Sequence, residues 1–139
     1  MKKVILILCL LLSGCFVKPQ YYLYLYYAKT CPVCKSFINY VIPQLKDIYQ
    51  DDMEIVLYDI DEDESKEAYA KTCSLLKDYY VTDDSGSIPF IVLDGYIAIV
   101  GYEVGTQDEM VNLIQLAIAG KEIPETEDIY YFQEGKTFH

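Results

Sequence analysis

The feature that most constrains this chain is Thr30-Cys31-Pro32-Val33-Cys34-Lys35, placed where a strand-like run, Tyr21 to Tyr27, gives way to a helical pattern. Two cysteines separated by two residues at such a junction have the layout of a redox-active dithiol. With Cys31 as the N-cap, Pro32 falls at the first helical position, where its fixed φ fits and its missing N–H costs nothing. Cys34 then lies one turn on. Residues three apart on a helix hold their Cβ atoms about 5–6 Å apart, which needs only a small adjustment to close a disulfide. The helix end points its unpaired N–H groups and the positive end of its dipole at the Cys31 sulfur, which favours thiolate over thiol. In such motifs the thiol pKa falls from about 8.5 to between about 3.5 and 7.5. Cys31 is therefore expected to be the exposed nucleophile and Cys34 the shielded resolving thiol, with Lys35 adding a nearby positive charge.

The cysteine count takes its meaning from the N-terminus. Lys2 and Lys3 precede an apolar stretch from Val4 to Leu12, and Leu12-Ser13-Gly14-Cys15 follows. This resembles a bacterial lipoprotein signal peptide, residues 1–14, with cleavage before Cys15 and lipid on the Cys15 thiol. A membrane span is the weaker reading, because a span needs about 20 apolar residues and this run stops at Ser13-Gly14. Residues 15–20 would form the lipidated cysteine and a tether. The five residues after Cys15 reach at most about 17 Å, which holds the domain close to the bilayer. Of the five cysteines, Cys31, Cys34 and Cys73 then remain as thiols in an extracytoplasmic compartment where disulfides persist.

The 139 residues suit one domain. With 22 acidic residues against 11 Lys and no Arg, nucleic acid is not a natural ligand. Tyr21 to Tyr27 is apolar and aromatic throughout, as for a strand buried on both faces. Phe37, Ile38, Val41, Ile42, Leu45, Ile48 and Tyr49 recur at helical spacing, and Pro43 is expected to kink that helix. Glu54 to Ile60 reads as the next strand, and the strand-helix-strand order implies a right-handed parallel unit. Asp61 to Glu64 has the form of a helix N-cap, and the helix that follows carries Tyr69, Cys73, Leu76 and Tyr80 on one stripe. Cys73 is thus expected to be a small buried core residue. Thr82 to Ser87 reads as a loop. Ile88-Pro89 leads into Phe90 to Leu93, Asp94-Gly95 signals a hairpin, and Tyr96 to Val100 returns. Thr106 to Glu109 reads as a capping box opening a last helix that ends at Gly120. Residues 121–139 form a tail in which Ile129-Tyr130-Tyr131-Phe132 is expected to pack back onto the domain.

Cys-Pro-Val-Cys after the first strand, Ile-Pro before the third, and a hairpin after it together resemble the thioredoxin-like superfamily over residues 21–120. That superfamily includes thioredoxins, glutaredoxins and bacterial extracytoplasmic disulfide oxidoreductases. The resemblance implies an α/β thioredoxin-like fold, a central mixed sheet of about four strands flanked by about three helices. It implies a cis Ile88-Pro89 bond beside the cysteine pair, with the adjoining backbone binding an extended substrate segment. It implies catalysis by Cys31 and Cys34, flanked by Thr30, Pro32, Val33 and Lys35, in a membrane-anchored thiol-disulfide oxidoreductase of the bacterial cell envelope. Its partners would be protein thiols or disulfides near the membrane and a redox partner that resets the dithiol. No metal or organic cofactor is required.

The chain also departs from the superfamily pattern. Thr30 replaces the thioredoxin Trp, and Pro32-Val33 replaces Gly-Pro. The buried acid and its Lys partner align with Leu25 and Leu57, so water or another carboxylate such as Asp59 would have to relay protons. Val33 offers no charge to a thiolate, which points to a mid-range couple within about −270 to −120 mV. Two rival readings are a non-enzymatic thioredoxin-fold binding module with a structural Cys31–Cys34 disulfide, and zinc bound by Cys31, Cys34, Cys73 and His139. The inward stripe position of Cys73 weighs against zinc.

Overall fold

A computed structural model describes residues 18–79 and 87–139. Tyr80, the loop from Thr82 to Gly86 and the N-terminal leader with Cys15 lie outside the described residues. Strand β1 (Tyr21–Tyr27) leads into helix α1 (Pro32–Ser36), a π-helical turn (Phe37–Val41) and helix α2 (Ile42–Tyr49) in one continuous run. Strand β2 (Met53–Asp59), helix α3 (Asp63–Leu75), strands β3 (Phe90–Leu93) and β4 (Ile97–Val100), helix α4 (Gln107–Ile118) and strand β5 (Ile129–Tyr131) follow. The sheet has the order β2-β1-β3-β4-β5, with β1 and β2 parallel and the other neighbours antiparallel.

The chain is therefore α/β with one mixed sheet, of five strands rather than about four. The extra strand comes from the tail, where Ile129–Tyr131 pairs with Ile97–Ile99 of β4. Four apolar residues in the tail lose less by joining a sheet edge than by standing in water.

The alternation of side chains along β1 divides the interior in two. Leu23 and Leu25 point to one face, into a cluster with Phe37, Val41, Leu45, Ile91, Leu93 and Ile114. Tyr24 and Tyr26 point to the other face, into a cluster with Tyr69, Cys73, Phe90, Val92, Ala98 and Phe132. Successive strand residues face opposite ways. With both faces covered, the run has no position at which a polar residue would be favoured.

Several local expectations are corrected. The irregularity expected at Pro43 sits just upstream, as the π-helical turn in which Ile42 N–H donates to Phe37 O. Proline lacks an N–H and crowds the carbonyl four residues back, and one wide turn shifts the register to accommodate it. The N-cap of α3 is Glu62, without a side-chain cap bond. At α4 the cap is Thr106, but its hydroxyl donates to Glu103 O at 2.7 Å and not into the helix. Tyr96 belongs to a three-residue turn with Asp94 and Gly95 rather than to β4. Gly95 there has φ +75°, a conformation that suits glycine.

Candidate active site

The dithiol sits at the C-terminal end of β1. Ala28 is buried, and its carbonyl accepts from Cys31 N–H at 3.1 Å, which turns the chain from strand to helix. Cys31 is the N-cap of α1 in an extended conformation, Pro32 occupies the first turn, and Lys35 N–H returns to Cys31 O at 3.1 Å. Cys34 N–H donates to Cys31 Sγ at 3.1 Å, so the side-chain cap of this helix is the sulfur itself. Cys31 and Cys34 are joined in a disulfide with Cα atoms 5.3 Å apart. Cys31 is half-buried and Cys34 is fully buried, as expected for an accessible sulfur and a shielded one. Thr30, Pro32 and Lys35 are exposed and Val33 is half-buried.

Ile88-Pro89 is a cis bond. Pro89 is buried and Ile88 half-buried. Tyr26 pairs with Phe90, so one step further along the antiparallel register Pro89 lies alongside Tyr27. The Cys loop and the cis-proline loop thus emerge at the same end of the sheet. Pro89 O accepts Gly101 N–H at 2.8 Å, which ties the segment after β4 to that end as well. Tyr102 then lays its ring edge-on to Phe37, with centroids 5.5 Å apart.

The third group at this end is Asp59, whose Cα partners Tyr27 across β1 and β2. It accepts Asp61 N–H at 3.1 Å and pairs with Lys29 Nζ at 3.2 Å. The backbone N–H of Asp61 first, and Lys29 second, hold its carboxyl below the usual carboxylate range. A carboxylate so committed is a poor proton carrier near neutral pH. Leu25 and Leu57 are direct partners across β1 and β2, with Leu25 buried and Leu57 exposed.

The four residues weighed for zinc do not converge. Cys73 lies in the tyrosine cluster, where burial pushes its thiol up to about 12. His139 stacks on Tyr22 with centroids 3.9 Å apart. Among the described residues no group of three or more His, Cys, Asp or Glu is placed to hold a metal.

Two polar groups had no signal in the sequence. Ser36 Oγ, two residues after Cys34, and Tyr102 OH are buried without a hydrogen-bond partner among the described residues. Both lie in or against the element that carries the disulfide. Ser36 reads as an ordinary helix residue and Tyr102 as a turn residue, so only packing reveals them. Comparison of the chain with protein-family models, with curated proteins and with solved structures found no match.

Proposed function

We propose that this chain is a thiol-disulfide oxidoreductase of thioredoxin-like architecture, held at the extracytoplasmic face of a bacterial membrane by lipid on Cys15. The observation that carries the reading is the Cys31–Cys34 disulfide at a helix N-terminus, with Cys34 N–H aimed at the more accessible sulfur. A purely structural disulfide gains nothing from a helix end that stabilises a thiolate. The strand order, with β3 antiparallel to β1 and a cis-proline before it, supports the same family resemblance.

In the reduced form the Cys31 thiolate attacks one sulfur of a substrate disulfide. A bond forms between Cys31 and that sulfur, and the other substrate sulfur leaves as a thiolate and takes a proton from solvent. Cys34, deprotonated, then attacks Cys31 Sγ, which closes the Cys31–Cys34 disulfide and releases the second substrate thiolate. Two electrons pass to the substrate and none are lost. Run in reverse, the same steps oxidise a dithiol and reduce the pair. The N–H of Cys34 and the positive end of α1 stabilise Cys31 whenever it is attacking or leaving group.

Substrate trapping tests the proposal. A Cys34→Ser chain should accumulate mixed disulfides through Cys31 on non-reducing gels, and a Cys31→Ser chain should accumulate none. Full exchange activity in Cys31→Ser, or an absence of trapped species in Cys34→Ser, would overturn it. The same trapping separates this reading from a binding module, because a structural disulfide has no reactive partner to catch. Metabolic labelling with a fatty acid, lost in Cys15→Ala, tests the anchor.

A further inference from the structure

A groove of about 730 Å³ runs between the end of β4, helix α4 and residues 124–129. That volume lies within the range of ordinary binding clefts. Met110, Leu113, Leu116 and Ile129 supply apolar lining. Glu103, Glu109 and Asp128 also line it and are exposed, while no Lys, Arg or His does so among the described residues. The groove is thus apolar inside and acidic at its margin.

Its position links it to the disulfide. Gly101 and Tyr102 line one end. Gly101 is bonded to Pro89 O, and Tyr102 packs on Phe37, three residues after Cys34. The hydroxyl of Tyr102 is, with Ser36 Oγ, one of the two buried groups without a hydrogen-bond partner among the described residues. The outer wall comes from Pro124, Thr126, Asp128 and Ile129, which belong to the tail beyond the region of family resemblance. One wall of the groove is therefore supplied by this chain's own C-terminal segment.

We infer that the groove docks an apolar polypeptide segment bearing Lys or Arg, on the same protein whose thiols or disulfide meet Cys31. The occupant follows from charge complementarity. Three carboxylates with no cation beside them among the described lining residues attract a basic segment and repel an acidic one, and the chain as a whole carries a formal charge of −11. The same negative charge disfavours an anionic lipid surface. The inference deepens the exchange reading and rests on it for the identity of the substrate class, but docking itself can be measured without exchange.

The test uses the full chain in its disulfide form and two short fluorescein-labelled peptides without cysteine, one alternating Leu with Lys and one alternating Leu with Glu. Fluorescence anisotropy should show the Leu-Lys peptide binding at least about tenfold more tightly, with a preference that shrinks as salt is raised. Glu109→Lys combined with Asp128→Lys should reverse the order of the two peptides. A milder Glu109→Gln and Asp128→Gln pair should cancel the preference, which guards against a variant that fails to fold. Equal binding of both peptides, or a preference that survives the double variants, would overturn the inference. So would sedimentation showing a dimer that the same substitutions dissociate, since a second copy would then be the occupant. Because the peptides carry no thiol, failed docking with intact trapping by Cys34→Ser removes the groove alone. Docking without any trapping removes the exchange reading and leaves a cationic-peptide groove.

Discussion

On one face of β1, Leu23 and Leu25 meet the helical run that begins with the Cys31–Cys34 disulfide, in a cluster with little polar chemistry. On the other face, Tyr24 and Tyr26 meet Tyr69, Phe90 and the buried thiol of Cys73. Burial raises the phenols of Tyr24, Tyr26 and Tyr69 above their ordinary range, as it raises Cys73. The two faces give their sulfurs different surroundings, a helix N-terminus for Cys31 and a buried aromatic cluster for Cys73. Cys31 meets a helix N-terminus and an N–H donor. Cys73 lies among aromatic rings, where burial outweighs the one backbone hydrogen bond that favours its charged form.

The sharpest way to break this comparison is alkylation of the reduced protein at neutral pH. Cys31 should react with iodoacetamide, Cys34 more slowly, and Cys73 not at all on the same timescale, as peptide mass mapping would show. With its thiol pushed up to about 12, Cys73 should begin to label only as pH climbs toward that value or the fold opens. Rapid neutral labelling of Cys73 would erase the contrast between the faces.

Packing offers the next largest effect. Phe37 is fully buried and connects the aliphatic cluster to Tyr102, and Phe37→Ala should cost about 3–5 kcal/mol in urea unfolding. Tyr26→Phe, on the other face, should cost only about 1 kcal/mol. Its hydroxyl bonds to Thr72 Oγ1 at 2.8 Å, but Thr72 also donates to Ala68 O at 2.9 Å and so stays satisfied when the phenol goes.

The tyrosine face also carries the end of the tail. The Asp94 carboxylate accepts Phe138 N–H at 2.7 Å and His139 N–H at 2.9 Å, and Lys71 Nζ lies 4.3 Å from the Phe138 ring centroid. Asp94→Ala should cost about 1–2 kcal/mol at most. The loss should appear as faster amide exchange at Phe138 and His139, with disulfide exchange by Cys31 unchanged. Slower exchange by Cys31 would mean that the two faces are coupled.

The smallest effect concerns acid stability. Asp59 has a folded-state pKa below its unfolded value, so the stability it contributes is fully present above the unfolded value of about 3.9. That contribution is lost as pH falls through the lower folded value. Asp59→Asn should therefore lower stability slightly at neutral pH, where the contribution is present, and flatten the acid limb below about pH 4, where variant and parent converge. A change in the pH profile of exchange near neutrality would instead restore Asp59 as a proton relay.

Local and short-range features were legible in the residues. The helix end at Cys31-Pro32, the apolar β1, the hairpin at Asp94-Gly95 and the inward placement of Cys73 each depend on a few neighbours and on periodicity. The cis state of Ile88-Pro89 was legible only through family resemblance. Caps were misread at Glu62 and Thr106, because a capping pattern states which bonds are possible and not which are made. Asp94 read simply as a turn residue, since its partners lie 44 and 45 residues away.

By itself, then, the sequence determined a dithiol at a strand-to-helix junction, because φ restriction at Pro32 and the spacing of two cysteines act within one turn. It also determined that β1 would be covered on both sides, because no residue from Tyr21 to Tyr27 is charged. Tertiary structure alone decided which face became aromatic, how the tail supplied a fifth strand, and where the acidic groove opened beside Gly101 and Tyr102. Those outcomes depend on contacts between segments far apart in the chain, and such contacts are settled by burial and register rather than by the preferences of any one stretch.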